Sequence, residues 1–222
     1  MKDVFHKDKT EFQVERLILF SDAVFAIAIT LLIIEIRIPD ISQGNVTNQS
    51  FWQAFLPSVP KFLGFLMSFS MIGLFWSKHH QMFGFVTNYT PKLIFLNLFY
   101  LCTIVLMPYT TAVYSEYSLG RYATLIIPFL FYSINIILAG VASLLLWQYV
   151  GNPKHKVTHI PIDKNYLLLA KLRALILPFA FLLSFVVCWI IGSIKGAMLL
   201  CLIPFYFNIV KWYAKRLNNS AK

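Results

Sequence analysis

Apolar positions in this chain do not form one stripe along otherwise polar helices, nor do they alternate as in half-buried strands. They gather into six blocks of about 20 residues with short polar segments between them. Crossing roughly 30 Å of hydrocarbon takes about 20 helical residues, each adding about 1.5 Å. The pattern predicts an all-α membrane protein with six transmembrane helices, at 16–36, 55–76, 92–113, 122–149, 166–191 and 194–212. Residues 1–15 read as a charged arm and 213–222 as a charged tail, so 1–222 is one six-span domain. The segment 39–50 is rich in Asn, Gln, Ser and Gly, and 151–165 holds Pro153 and Pro161, so both read as exposed loops. Pro128 and Pro178 fall within the fourth and fifth blocks. Kinks there are tolerable because neighbouring helices or water satisfy the carbonyls that proline frees.

Composition agrees with the pattern. Hydrophobic residues make up 59% of the 222, charged residues 13%, and the mean hydropathy is +0.69. Soluble domains carry about 25% charged residues, so this balance belongs to the membrane class. The net charge of +10 would suit a nucleic-acid partner if the basic residues formed one patch. They do not. Fifteen of the nineteen Lys and Arg fall in the arm, at 78–92, at 154–173 and in the tail, which are alternate connections between blocks. Only Arg37, Lys61, Arg121 and Lys195 lie on the other side. Basic residues favour the cytoplasmic side of a membrane, so both termini are expected in the cytoplasm and no nucleic acid is implied. Cys102, Cys188 and Cys201 all sit in apolar blocks without paired spacing, which points to neither disulfide nor zinc.

The first block is unusual at its entry, where Arg16, Ser21 and Asp22 precede a run of branched apolar residues. A carboxylate at the centre of a membrane helix costs about 2.5–3.5 kcal/mol on insertion scales, and less near the interface. Asp22 therefore needs a partner. At 100° per residue, Ala23, Ile27, Thr30 and Ile34 share one narrow stripe, and Asp22 with Ala26, Ile29 and Ile33 shares another, well over 90° away. Asp22 and Ser21 are then expected to turn toward neighbouring helices. Periodicity alone assigns the Ile27 stripe to lipid or to interhelical packing.

The motif Arg16-x-x-x-Phe20-Ser21-Asp22 resembles the Arg-x-x-x-Phe-Ser-Asp signature of the transmembrane protein 175 family of potassium channels. The continuation Ala23–Leu32 is similar too, as are Phe75-Trp76-Ser77-Lys78-His79-His80, Asn97 and Met107-Pro108-Tyr109-Thr110. The resemblance spans all six blocks. It implies a homotetramer of the prokaryotic, single-repeat type in a bacterial plasma membrane, with the first helix lining the pore. It implies that Ile27 forms a hydrophobic constriction, that Thr30 contributes to cation selectivity with potassium passing nearby, and that Ile34 is the next layer. Arg16, Phe20, Ser21, Asp22, Trp76, His79 and Asn97 then form a structural network at the cytoplasmic end. A ring of branched side chains closes a pore by contact and by dewetting. Four hydroxyls are a weaker field than stacked carbonyl rings, so discrimination against sodium is expected to be modest. The chain has no Thr-Val-Gly-Tyr-Gly segment, so a carbonyl-loop filter is not expected.

Two other functions fit parts of the sequence. A proton- or sodium-coupled transporter would use Asp22 as its carrier group, although transporters place such groups near the midplane in broken helices. A membrane enzyme would need converging nucleophile, base and oxyanion donors, but the nine acids lie mostly in the arm and loops. No enzyme activity and no cofactor are expected beyond the permeant ion. His79 and His80 are adjacent and point about 100° apart, whereas two zinc ligands on one helix take i, i+4 spacing, so no metal site is expected. The expected partners are other copies of the chain, membrane lipids and monovalent cations.

Overall fold

The structure is a computed structural model that describes residues 4–38, 40, 47–117 and 124–191, with side chains from residue 10 onward. Its elements are α1 (Val4–Ile34), α2 (Asn48–Phe55), α3 (Val59–Phe83), α4 (Pro91–Val105), α5 (Met107–Glu116), α6 (Ile127–Val150) and α7 (Lys164–Ile191). Short 3-10 turns at Leu56–Ser58 and Pro153–His155 complete the order. Among the described residues the only extended pairing is a single bridge between Val86 and Thr158. Among the described residues five stretches are long and apolar enough to cross a membrane: Thr10–Ile34, Asn48–Phe83, Pro91–Glu116, Ile127–Val150 and Lys164–Ile191. The sixth expected span, 194–212, and the tail at 213–222 lie outside the described residues.

The helix boundaries have local causes. α1 is helical from Val4, so much of the segment read as an arm continues the first span without a break. Thr47 caps α2, its hydroxyl accepting the Ser50 N–H while Ser50 reaches back to the cap, and the chain then runs through a 3-10 turn at Pro57 into α3. The block expected at 92–113 is two helices that meet at Leu106. Pro108 has no N–H for the carbonyl four residues earlier, which breaks the ladder there. Hydroxyls add bonds beside the break, Thr110 to the Leu106 carbonyl, which its own N–H also reaches, and Thr111 to the Met107 carbonyl at 2.7 Å. Pro128 kinks nothing. It sits in the first turn of α6, where an N–H would lack an intrahelical partner anyway.

The core lies between α3, α4, α6 and α7, with α1 packed across α3, α4 and α5. Phe75, Phe83, Tyr100, Phe129, Tyr132 and Phe181 are among its largest fully buried side chains. Several polar groups inside it are paired across helices. Tyr100 donates its hydroxyl to the Phe75 carbonyl, and the Ser68 hydroxyl joins Tyr132 at 3.0 Å and Thr111 at 2.7 Å. α6 and α7 meet closely where Gly140 faces Pro178; a methyl added at Gly140 would overlap the proline ring. Lys78 crosses from α3 to donate to the Arg173 carbonyl on α7. The connections at 84–90 and 151–158 clasp each other, with the Thr87 and Asn88 N–H groups both donating to the Val157 carbonyl.

Candidate functional site

α1 has two faces with opposite fates. Val14, Ser21, Phe25, Ala28 and Leu32 are each 5% exposed or less, and their spacing of three, four and seven residues keeps them on one side of the helix. On the other side Phe20, Ile27 and Ile34 are 50%, 58% and 69% exposed, with Ala23 and Thr30 exposed between them. The stripe found from helical angles is therefore largely exposed among the described residues. It presents branched apolar side chains and one hydroxyl. That hydroxyl donates to the Ile27 carbonyl at 2.9 Å, so the side chain is oriented along the helix surface.

The buried side of α1 is held by polar contacts near the position of the motif. Asn97 on α4 is fully buried and bridges two elements: its amide donates to the Ser21 hydroxyl at 2.9 Å, and its Oδ1 meets His79 Nε2 at 2.8 Å. Because Oδ1 only accepts, Nε2 carries the proton. Ser21 passes its own proton to the Leu17 carbonyl at 2.8 Å, which completes the chain of donors from α3 through α4 into α1. A short distance along, Trp76 Nε1 donates to Asp22 Oδ1 at 2.9 Å. That contact gives the carboxylate a partner without another charge.

Aromatic rings enclose this chain. His79 stacks with Phe83 at 4.2 Å and with Tyr100 at 5.6 Å, and Phe25 lies 5.5 Å from the imidazole. Phe25 is 1% exposed and locks α1 into the aromatic cluster. Sequence reasoning passed over it; its signal was its place on the Ser21 face, three residues beyond Asp22. His80 points elsewhere and stacks on Trp76 at 5.6 Å.

The structure thus brings together Ser21, Asp22, Trp76, His79 and Asn97. It does not bring Arg16 or Phe20 to them. Arg16 is exposed, with its guanidinium 5.8 Å from the Phe12 ring centroid, and Phe20 lies on the open side. Arg16 stands eleven residues before Ile27, close to three full turns, so it belongs to the same outward face. At the other end of α1, Glu35 is exposed beside a cavity of about 330 Å³ that it shares with Arg37, Lys61 and Glu116.

The chain is similar to known proteins in sequence and in fold. Residues 16–108 match the model of the family described as endosomal/lysosomal potassium channel TMEM175. A potassium channel of Chamaesiphon minutus is 32% identical over 180 residues, covering 77% of this chain and 84% of that one. A potassium channel of Streptomyces collinus is 34% identical over 136 residues; the match covers 61% of this chain and 64% of the relative, less than two thirds of its length. The chicken protein called endosomal/lysosomal proton channel TMEM175 is 36% identical over 108 residues, 47% of this chain and 22% of that one. The crystal structure of a lysosomal potassium-selective channel TMEM175 homolog from Chamaesiphon minutus superposes with a TM-score of 0.71, covering 89% of this chain and 98% of that one at 24% identity, which shows a shared fold. With several helices fit to cross a membrane and a family match that contains the whole Arg16–Asp22 motif, the chain is a multi-pass membrane protein and belongs to the TMEM175 family.

Proposed function

We propose that the chain forms a potassium-selective cation channel, a homotetramer in a bacterial plasma membrane with both termini in the cytoplasm and α1 of each subunit lining the pore. The observation that carries the proposal is the open face of α1. A helix whose opposite side is locked by Ser21, Phe25 and Ala28 leaves Ile27, Thr30 and Ile34 exposed among the described residues. Four copies around an axis cover that stripe and make a narrow, apolar passage. Ile27 is then the constriction, closing by contact and by dewetting, and Ile34 lines the next layer. Thr30 supplies the oxygens. Its proton is engaged by the Ile27 carbonyl, so its lone pairs are left to face a partly dehydrated cation. The bacterial relatives named potassium channels support this reading.

The test is ion flux from proteoliposomes of the purified protein under a potassium gradient, repeated with sodium. Potassium flux that exceeds sodium flux without a coupling gradient is expected. Flux that appears only with an opposing proton or sodium gradient would replace the channel with a coupled transporter and make Asp22 its carrier. The unbroken course of α1 through Asp22, and the Trp76 bond to its carboxylate, favour a positioning role instead. A second reading follows from the animal relatives, which are called proton channels. Water threaded through a wetted passage carries protons, so the same vesicles loaded with a pH dye measure proton entry beside potassium exit.

A further inference from the structure

At the end of the bundle opposite Glu35, α4 begins and α6 ends side by side, and a groove of about 290 Å³ lies between them. Lys92, Gln148, Asn152 and His155 form its polar rim, and Leu96 and Leu145 its apolar wall. None of the lining residues is acidic. The rim is built rather than merely gathered. The His155 ring stacks on Tyr149 at 3.9 Å and its Nδ1–H donates to the Tyr149 carbonyl at 2.8 Å. The Tyr149 hydroxyl meets the Thr90 hydroxyl at 2.9 Å, and the Lys92 ammonium sits 5.6 Å from the centroid of the same ring. Asn152 turns its Oδ1 to the Lys154 N–H, which starts the one-turn helix that carries His155. Lys156 then adopts a left-handed conformation at φ 54°, and Val157 is buried to hold the loop against 84–90.

We propose that this groove binds the phosphate headgroup of an anionic phospholipid, with an acyl chain lying along α6. The wall explains why the anion is a lipid's. From Leu145 the exposed residues of α6 continue as Val141, Leu138 and Ile134, spaced three and four apart in one stripe toward the membrane centre. Phe95 and Phe99 extend α4 alongside, 68% and 40% exposed. A soluble anion uses only the rim, whereas a phospholipid uses rim and stripe together. Charge is complementary: Lys92 lies in the groove, and exposed Lys154 and Lys156 stand in the adjoining loop. Each basic residue near an anionic leaflet adds attraction, and basic pockets between membrane helices on the cytoplasmic side suit such headgroups. The inference rests on the membrane placement of α4 and α6, not on ion conduction, so flux measurements leave it untouched.

The experiment is native mass spectrometry of the purified full chain given equal amounts of phosphatidylglycerol and phosphatidylcholine with identical acyl chains. Wild type is expected to retain phosphatidylglycerol about fivefold over phosphatidylcholine. Lys92→Glu brings the ratio close to one, while Lys164→Gln, on an exposed residue of the same side outside the groove, leaves it unchanged. Lys92→Gln, which only removes the charge, serves as the second variant and is expected to fall in between. Equal retention by wild type, or a preference that survives both Lys92 substitutions, overturns the proposal. Glycerol 1-phosphate in a parallel titration separates the sources: tight binding of it without lipid preference would make the ligand a soluble anion and also overturn the assignment.

Discussion

Thr30 donates its hydroxyl proton to the Ile27 carbonyl at 2.9 Å, so the selectivity candidate and the constriction candidate are joined on one exposed face of α1. The bond removes the donor of Thr30 from the face and leaves oxygen lone pairs there, the chemistry a cation needs. Thr30→Val keeps the shape and deletes the oxygen. It is expected to lower the potassium-to-sodium permeability ratio about threefold, a change of roughly 0.6 kcal/mol per conduction complex. Thr30→Ser keeps the oxygen and the ratio. Reversal potentials under bi-ionic conditions measure both, and equal ratios in all three proteins would take Thr30 out of the selectivity site.

Ile27 is 58% exposed in the subunit, which means its substitution removes little internal packing. Ile27→Ser should therefore leave the fold and thermal stability close to wild type, within about 0.5 kcal/mol. Its effect belongs to the passage. A hydroxyl lets water into a short apolar bottleneck, so potassium flux is expected to rise several-fold. Stopped-flow flux from vesicles reads the change. A large loss of stability with unaltered flux would show that the side chain packs elsewhere.

Asn97 is hydrogen-bonded to both His79 and Ser21, and it is fully buried. Interhelical hydrogen bonds inside membranes average about 0.6 kcal/mol and reach about 1.7. Leaving a buried partner unsatisfied costs about 1–3 kcal/mol. Asn97→Ala breaks two such bonds at once and is expected to destabilise the protein by about 2–3 kcal/mol, read as a lower midpoint of thermal unfolding in detergent. Arg16→Gln is expected to change it little, because Arg16 contacts Phe12 on the open face. A matching loss in Arg16→Gln would return Arg16 to the network.

These contrasts show what a sequence can and cannot carry. The stripe of Ala23, Ile27, Thr30 and Ile34 was legible because helical angles follow from residue numbers alone. The buried side was not, since Phe25, Ala28 and Leu32 pack inward with Ser21 while Ala26 and Ile33 of the Asp22 stripe are exposed. The same arithmetic sets Arg16 beside Ile27, within about 20°. Grouping it with Asp22 rested on charge and motif, which do not encode direction. The partners of Asp22 and Ser21 were legible only through the motif resemblance, since 54 residues separate Asp22 from Trp76 and 76 separate Ser21 from Asn97. The clasp between 84–90 and 151–158 had no signal. It depends on Lys156 in a left-handed conformation that glycine or asparagine would have advertised. The break at Leu106 lay within reach, because Pro108 must free a carbonyl in any helix that contains it.

Exposed charge on the Glu35 side makes a contrasting case. Lys61 and Glu116 form an ion pair at 2.6 Å, with side chains 26% and 53% exposed. Water screens a pair so placed, and such pairs contribute about 0–1 kcal/mol. Lys61→Met is expected to shift the unfolding midpoint by no more than a degree or two. A larger shift, abolished by 1 M salt, would mean that the cavity shared with Glu35 and Arg37 holds the pair away from solvent.

Gly140 and Pro178 set how closely α6 and α7 approach. Pro178 stands inside α7, where it cannot donate to the Ala174 carbonyl, and Gly140 lies against both. A Cβ at residue 140 would overlap the ring and come within 3.0 Å of that carbonyl. The helices must then separate or bend, and overpacking of this kind costs about 1–3 kcal/mol. Gly140→Ala is expected to lower stability by that amount despite the higher helix propensity of alanine, which alone would favour it by about 1 kcal/mol. Pro178→Ala removes the ring and restores the backbone donor. The double variant should regain most of the loss, giving a coupling energy above about 0.5 kcal/mol in a thermal-unfolding cycle. Strict additivity would mean that the two helices are kept together by other contacts, with Phe129 and Phe181, 6.3 Å apart in the same interface, the next pair to separate.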